Sequence, residues 1–287
     1  MAPLLVVDAP SLLFRAFHAL PDSIVDARKR PVNALLGTAN LLLYAIEERR
    51  PRATVLCFGQ DAATYRTEQF PAYHADRIVM PDGLGHQFAE AGDFFTAFGF
   101  EVAGTEDLEA DDLLGSYAAT EVEAGGEALL MTGDRDMFQC ADERVTVLYV
   151  KTGTRGFEDV GPDQVLERYG VPASAVPDFI ALRGDPSDGL PGARGIGAKT
   201  AADLLRRHGS LEGAIDAAAE ERPAIATALR EQADDLRAFK DIATLRRVAV
   251  PRPPDREVDY ARAARAARAL GMNRLAERLE RLGDEAA

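Results

Sequence analysis

The chain is short of cysteine, of long apolar runs and of positive charge, and each shortage excludes something. Cys57 and Cys140 are its only cysteines. Two are too few for a disulfide scaffold or a zinc cluster, and they suit a reducing cytoplasm. No apolar run approaches the roughly 18 residues of a membrane span. The opening run Leu4–Val7 lacks the basic start of a signal peptide, so a cytoplasmic protein is expected. Against 47 Asp and Glu stand 33 Lys and Arg, a net charge of −14. Such a deficit ordinarily argues against nucleic acid, whose phosphates are met by Lys and Arg. What is present is 287 residues, 47% hydrophobic and 28% charged. That composition fills the core of one large domain or two small ones and excludes a disordered chain.

The charge is not spread evenly. Residues 1–188 carry 31 acids against 15 bases, whereas residues 189–287 carry 16 against 18. Residues 101–142 alone hold 12 acids and one base, Arg135. Leu, Tyr, Phe and Met are interspersed there, which speaks for a folded segment with a solvated face or metal ligands.

Hydrophobic periodicity predicts strands at Leu4–Asp8, Ala53–Phe58, Ala128–Met131 and Val145–Val150, with helices at 33–50, 84–98 and 108–118. Strands alternating with helices imply a mostly parallel sheet covered on both faces, an α/β class. Ligands of such sheets gather beyond the carboxyl ends of the strands, just where Asp8, Asp134 and Asp136 fall. From about residue 161 the pattern changes to short helices punctuated by Gly and Pro. The expected division is therefore an α/β domain at 1–160 and a helical domain at 161–287.

Eight acids form the candidate site: Asp8, Glu109, Asp111, Asp112, Asp134, Asp136, Asp185 and Asp188. On a helix, Glu109 and Asp112 share a face and Asp111 lies about 100° round from Asp112. Like charges so close repel unless solvated or neutralised, and oxygen-only ligands favour Mg²⁺ or Mn²⁺ over zinc. The bland alternatives are an acidic first turn favoured by the helix dipole and acids that merely shape turns. The second motif is Gly192-Ala-Arg-Gly-Ile-Gly-Ala-Lys-Thr200. It lacks both the Walker A and the dinucleotide spacing. A glycine loop opening a helix, with Arg194 and Lys199 beside it, offers backbone amides and charge to a DNA phosphate. A tight turn between helices is the other reading. Arg262, Arg265 and Arg268 form a stripe that is either a solvated face or a phosphate track.

Five segments in order carry a resemblance. They are Leu5-Val-Val-Asp8 with Ser11–Leu20, Tyr65-Arg66 with Pro71–Arg77, Leu108–Asp112, Thr132-Gly-Asp-Arg-Asp136, and Leu182–Asp188 running into Gly195-Ile-Gly-Ala-Lys-Thr-Ala201. The chain resembles the bacterial 5′-3′ exonuclease and flap endonuclease family, which includes the N-terminal nuclease domain of DNA polymerase I. The resemblance implies a PIN-like nuclease fold and a C-terminal helical domain that binds duplex DNA through the helix-hairpin-type loop Gly192, Arg194, Gly195, Ile196, Gly197, Lys199 and Thr200, with K⁺ there as a further implication. It implies two ions, one facing Asp8, Glu109 and Asp111, the other served by Asp112, Asp134, Asp136, Asp185 and Asp188. It implies a helical arch at about 66–95, where Arg66, Tyr73, His74 and Arg77 meet the 5′ strand. A monomer acting on DNA in the nucleoid follows from the same resemblance. Three departures stand out: Gly59 where the family usually has Asp, His74 where it has Lys, and Ala9 where it has Gly. The competing expectation is a branched-DNA-binding protein of the same fold with weakened catalysis.

Overall fold

In the computed structural model, residues 2–75, 80–151 and 156–286 are described. Six strands form one sheet in the order β3-β2-β1-β4-β5-β6. They are β1 Leu4–Asp8, β2 Ala53–Phe58, β3 Glu101–Gly104, β4 Ala128–Thr132, β5 Val145–Tyr149 and β6 Glu158–Val160. All neighbours are parallel except β5 and β6. β1 lies at the centre because every one of its residues is buried. Its alternate side chains supply both faces: Leu4 and Val6 enter one core, Leu5 and Val7 the other. β1 lies between β2 and β4, so successive strands are added on opposite sides of it. That reversal opens a crevice at their carboxyl ends, where Asp8 sits.

The helices of the first half are α1 Ala9–Ala19, α2 Asn33–Arg49, α3 Thr64–Gln69, α4 Asp82–Thr96 and α5 Ala110–Glu123. The second half adds α6 Pro162–Tyr169, α7 Val176–Arg183, α8 Ala198–His208, α9 Leu211–Asp216, α10 Pro223–Glu231, α11 Ala233–Ala243, α12 Tyr260–Ala269 and α13 Asn273–Ala286. One core joins the α5 face of the sheet to α6–α11; the other is roofed by α1, α2, α4, α12 and α13. The last two helices thus pack against the first-half elements, through Ala263, Ala267, Leu275 and Leu279. Among the described residues no helix is long and apolar enough to cross a membrane.

Periodicity missed β3 and β6 because edge strands carry no continuous apolar run; β3 alternates half-buried and exposed residues. It also missed α1, whose Pro10 looks like a breaker but lies in the first turn, where proline is tolerated. Asp8 caps that helix by accepting from Ser11 N at 3.0 Å. Short α3 and α10 were likewise not anticipated. Within the stretch expected as an arch, 82–95 lies in α4 and packs on the core through Leu84, Ala91 and Phe95. Buried Gln87 on α4 accepts from Ala34 N and Leu35 N, capping α2 from outside.

A cluster of unpaired carboxylates at the sheet edge

The crevice beyond β1 and β4 closes into a cavity of about 20 Å³. Glu109, Asp111, Asp134, Asp136 and Asp188 line it together with Arg66 and Tyr73. Ile242, Ala243 and Leu245, at and just after the end of α11, form its far wall. No sequence signal marked that wall, which lies more than 100 residues from Glu109, Asp111, Asp134 and Asp136.

Each acid is set by its element. Asp8 ends β1, and its second oxygen accepts from Thr132 Oγ1 at 2.6 Å across the β1–β4 pair. Asp134 and Asp136 leave β4 in a tight turn in which Asp136 N donates to Asp134 Oδ1 at 2.9 Å. Arg15 crosses Gly133 and donates to its carbonyl at 2.5 Å, its guanidinium filling the space a Cβ would take. Glu109 and Asp111 come from the start of α5. Gly59 makes that placement possible. A Cβ at Gly59 would lie 2.4 Å from Ala110 N and 2.5 Å from Glu109 C, so β2 and the α5 start approach too closely for any side chain.

The eight acids fall into two kinds. Asp112 is fully buried and saturated: Arg66 grips it with both terminal nitrogens at 3.0 and 3.1 Å, and Arg246 N and Glu109 N donate to it at 2.7 and 3.2 Å. It does not line the cavity. Asp185 is similarly occupied, by Arg183 at 2.9 Å and by Ser187 N at 2.8 Å and its hydroxyl. Glu109 is shared, accepting from Ala63 N at 2.8 Å and Tyr73 Oη at 3.0 Å, with Arg66 at 3.0 Å. Asp111 and Asp136 are different: neither carboxylate has a hydrogen-bond or ion-pair partner among the described residues.

That lack has an electrostatic signature. Burial first, then repulsion from Asp8, Asp134 and Glu109, pushes Asp111 well above the ordinary carboxylate range. Burial and then Asp134, Asp188 and Asp185 do the same to Asp136. Burial and Asp188 push Asp134 up to about 6. Asp8 is also raised by burial, against the opposing pull of Thr132, Ser11 and Arg15. The cluster is therefore short of positive charge. An all-oxygen donor set with uncompensated charge fits a hard divalent cation. Among the described residues no three of these acids are drawn together tightly enough to grip one ion by themselves.

Of the residues expected at the arch, Arg66 and Tyr73 line the cavity beside the acids. Arg66 is buried, held by Asp112, Glu109 and the Ile242 carbonyl at 3.0 Å. Tyr73 and His74 are buried and stacked, ring centroids 3.8 Å apart. His74 Nδ1 donates to the Asp61 carbonyl at 2.7 Å, and Nε2 faces Asp188 Oδ1 at 3.0 Å. Arg77 lies outside the described residues.

The glycine loop divides in the same way. Gly192 (φ 69°) lies against Gly184, where a Cβ would come within 2.3 Å of backbone; it is a structural glycine. Gly195 and Gly197, by contrast, have nothing within 4 Å of a notional Cβ. Gly197 has φ −91°, which any residue adopts, and it caps the start of α8 without a side-chain bond. Ile196 is buried beneath the loop, Thr200 lies in the first turn of α8, and Lys199 in that turn has no partner among the described residues. Arg194 reaches Glu231 at 3.5 Å, while Arg206 pairs with Asp203, Arg207 and His208 with Glu221, and Arg268 with Glu280.

A central parallel sheet with an acid cluster at its carboxyl edge and a helical cap defines a nuclease of the resolvase-like class. The description "5′-3′ exonuclease, N-terminal resolvase-like domain" matches residues 3–170, and "5′-3′ exonuclease, C-terminal SAM fold" matches 171–263. The chain belongs to the 5′-3′ exonuclease family. It is 38% identical to a 5′-3′ exonuclease of Mycobacterium tuberculosis, over 80% of this chain and 78% of that one. A Streptomyces coelicolor 5′-3′ exonuclease is 37% identical over 76% and 75%. The DNA polymerase I of M. tuberculosis is 36% identical over 79% of this chain, which spans only 25% of the polymerase. In fold it matches the T5 D15 protein co-crystallized with metal ions (TM-score 0.67, 18% identity, 99% and 100% covered). It also matches the catalytic core of Rad2 in complex with DNA substrate (TM-score 0.64, 13% identity, 97% and 90% covered).

Proposed function

We propose that this nuclease hydrolyses phosphodiester bonds in DNA that carries a free 5′ end or a 5′ flap, acting as a monomer in the cytoplasm, in the nucleoid. The observation that carries this reading is the cavity lined by Asp111, Asp134 and Asp136, in which the Asp111 and Asp136 carboxylates have no hydrogen-bond or ion-pair partner among the described residues. Two Mg²⁺ or Mn²⁺ ions would be held there, with Asp8, Glu109 and Asp188 as further ligands or as acceptors for ion-bound water. Bound divalent ions lower the pKa of an attacking water and stabilise charge on the attacking and leaving oxygens.

The remaining work falls to the chain's own groups. Asp112 holds Arg66 at the cavity wall, and Asp185 stiffens the turn that carries Asp188. Arg66, which lines the cavity, would place a fixed positive charge beside the scissile phosphate. Tyr73 orients Glu109 through its hydroxyl. The duplex would lie on the Gly195–Gly197 loop, where the open space over both glycines admits a phosphate close to the backbone and Lys199 supplies charge. A K⁺ ion between that loop and the phosphate fits the same reading.

The test is cleavage of an end-labelled 5′-flap duplex in Mg²⁺ and in Mn²⁺. Cutting near the branch that EDTA stops is expected. Salt-sensitive binding to branched DNA without turnover in either metal would favour instead a DNA-binding protein that has lost catalysis, the reading motivated by Gly59 and His74. Equal cutting of a matched RNA flap would redirect the substrate assignment.

A further inference from the structure

His74 occupies a position whose geometry is unlike that of a substrate contact. Its backbone is left-handed, with φ 56°, a conformation that a non-glycine residue adopts only when its surroundings impose it. Its side chain is 2% exposed. Both ring nitrogens are engaged, one with the Asp61 carbonyl and one with Asp188. The backbone adds a third tie, His74 N donating to the Asp188 carbonyl at 3.2 Å. The next residue of that turn, Gly189, has φ 74° and would bring a Cβ to 2.9 Å from the Ala72 carbonyl, so the 185–190 turn lies flat on residues 72–74. The neighbouring ring, Tyr73, stacks on His74 and reaches the other side of the cavity, to Glu109.

We propose that His74 is a positioning residue for Asp188. With Tyr73 it forms a two-ring clamp that fixes Asp188, carried by the helical half, relative to Glu109 at the start of α5. The inference rests on the reading of Asp188 as an ion-facing acid. It makes His74 a determinant of metal affinity, acting through a carboxylate, and not a group that reaches the phosphate of the DNA.

The experiment is calorimetric titration of the full chain with Mn²⁺ in the absence of DNA, for wild type, His74→Ala, His74→Asn, Asp188→Asn and the double variant His74→Ala/Asp188→Asn. Asparagine tolerates the left-handed backbone and keeps one donor, so His74→Asn serves if the alanine variant does not fold by circular dichroism. Removing a group that orients a metal ligand typically weakens binding about 10- to 100-fold. His74→Ala should fall in that range, His74→Asn should lose less, and the double variant should bind no more weakly than Asp188→Asn alone. Mn²⁺ affinity within twofold of wild type in both His74 variants, or losses that add in the double variant, would overturn the proposal. A wild type that cuts, paired with a His74→Ala variant whose only change is a raised KM for DNA, also overturns it while leaving the nuclease reading intact. Coupled Mn²⁺ losses in a chain that cuts no DNA support the clamp and remove the nuclease reading.

Discussion

Two carboxylate clusters share helix α5, and the protein treats them in opposite ways. At its end, Glu121 is fully buried between two arginines: Arg52 donates through Nε at 3.0 Å and through Nη2, and Arg252 through Nε and Nη2, both at 2.9 Å. Burial works against that charge, but the two guanidiniums hold the Glu121 carboxyl below its ordinary value. Arg52 also grips the Pro253 carbonyl at 2.7 Å and Asp255 at 2.8 Å, pinning the proline-rich connector to the sheet. At the start of the same helix, Asp111 has no such partner and its neighbour Asp112 has four donors. Glu121 is matched with cations in place, whereas Asp111 is left unmatched at a cost in stability, as the proposed role in holding a cation from solution requires.

The comparison breaks first on activity. Asp136→Asn or Asp111→Asn should lower flap cleavage by about three orders of magnitude, the scale of losing several kcal/mol of charge stabilisation at the reacting oxygens. Glu121→Gln should leave turnover per folded molecule unchanged, which kcat on matched folded fractions checks. On stability the order reverses. Glu121→Gln takes from the buried Arg52 its only buried counter-charge, leaving it the exposed Asp255, so a loss of about 3 kcal/mol and a fall in Tm of about 10 °C are expected in a thermal melt.

The glycine loop offers a finer contrast. Gly192→Ala forces a side chain into backbone and should lower Tm, whereas Gly197→Ala meets nothing in the fold. The latter should keep Tm and weaken duplex binding roughly tenfold in a filter or anisotropy assay, if a phosphate approaches where the Cβ would stand. The smallest effect concerns pH. Asp134 titrates near 6 in the fold against 3.8 ordinarily. Between those values the folded state binds more protons than the unfolded one, so stability falls as pH rises from about 4 to 6. Asp134→Asn should remove its share of that fall, read from denaturant midpoints across the window.

Much of this was legible in the residues. Leu4–Asp8 and Ala53–Phe58 gave their strands away because central parallel strands are buried on both faces and read as continuous apolar runs. The acids at strand ends pointed to the crevice for the same topological reason. Which acids are spoken for was not legible, because Asp112 is matched by Arg66 and by the backbone of Arg246, residues 46 and 134 positions away. Nor was the burial of His74, since its partners Asp61 and Asp188 come from separate loops. The overall deficit of positive charge misled about nucleic acid for a related reason. Net charge averages over the chain, while 12 of the acids fall within residues 101–142 and residues 189–287 carry 18 bases against 16 acids.

The most direct test compares melting of wild type and Asp136→Asn with and without Mn²⁺ at neutral pH. Relief of repulsion should make the metal-free Asp136→Asn variant melt a few degrees above wild type, and saturating Mn²⁺ should reverse the order by stabilising wild type more. A metal-free variant that melts below wild type, or a Mn²⁺ shift equal in both proteins, would contradict the claim that these carboxylates are left unpaired for a metal.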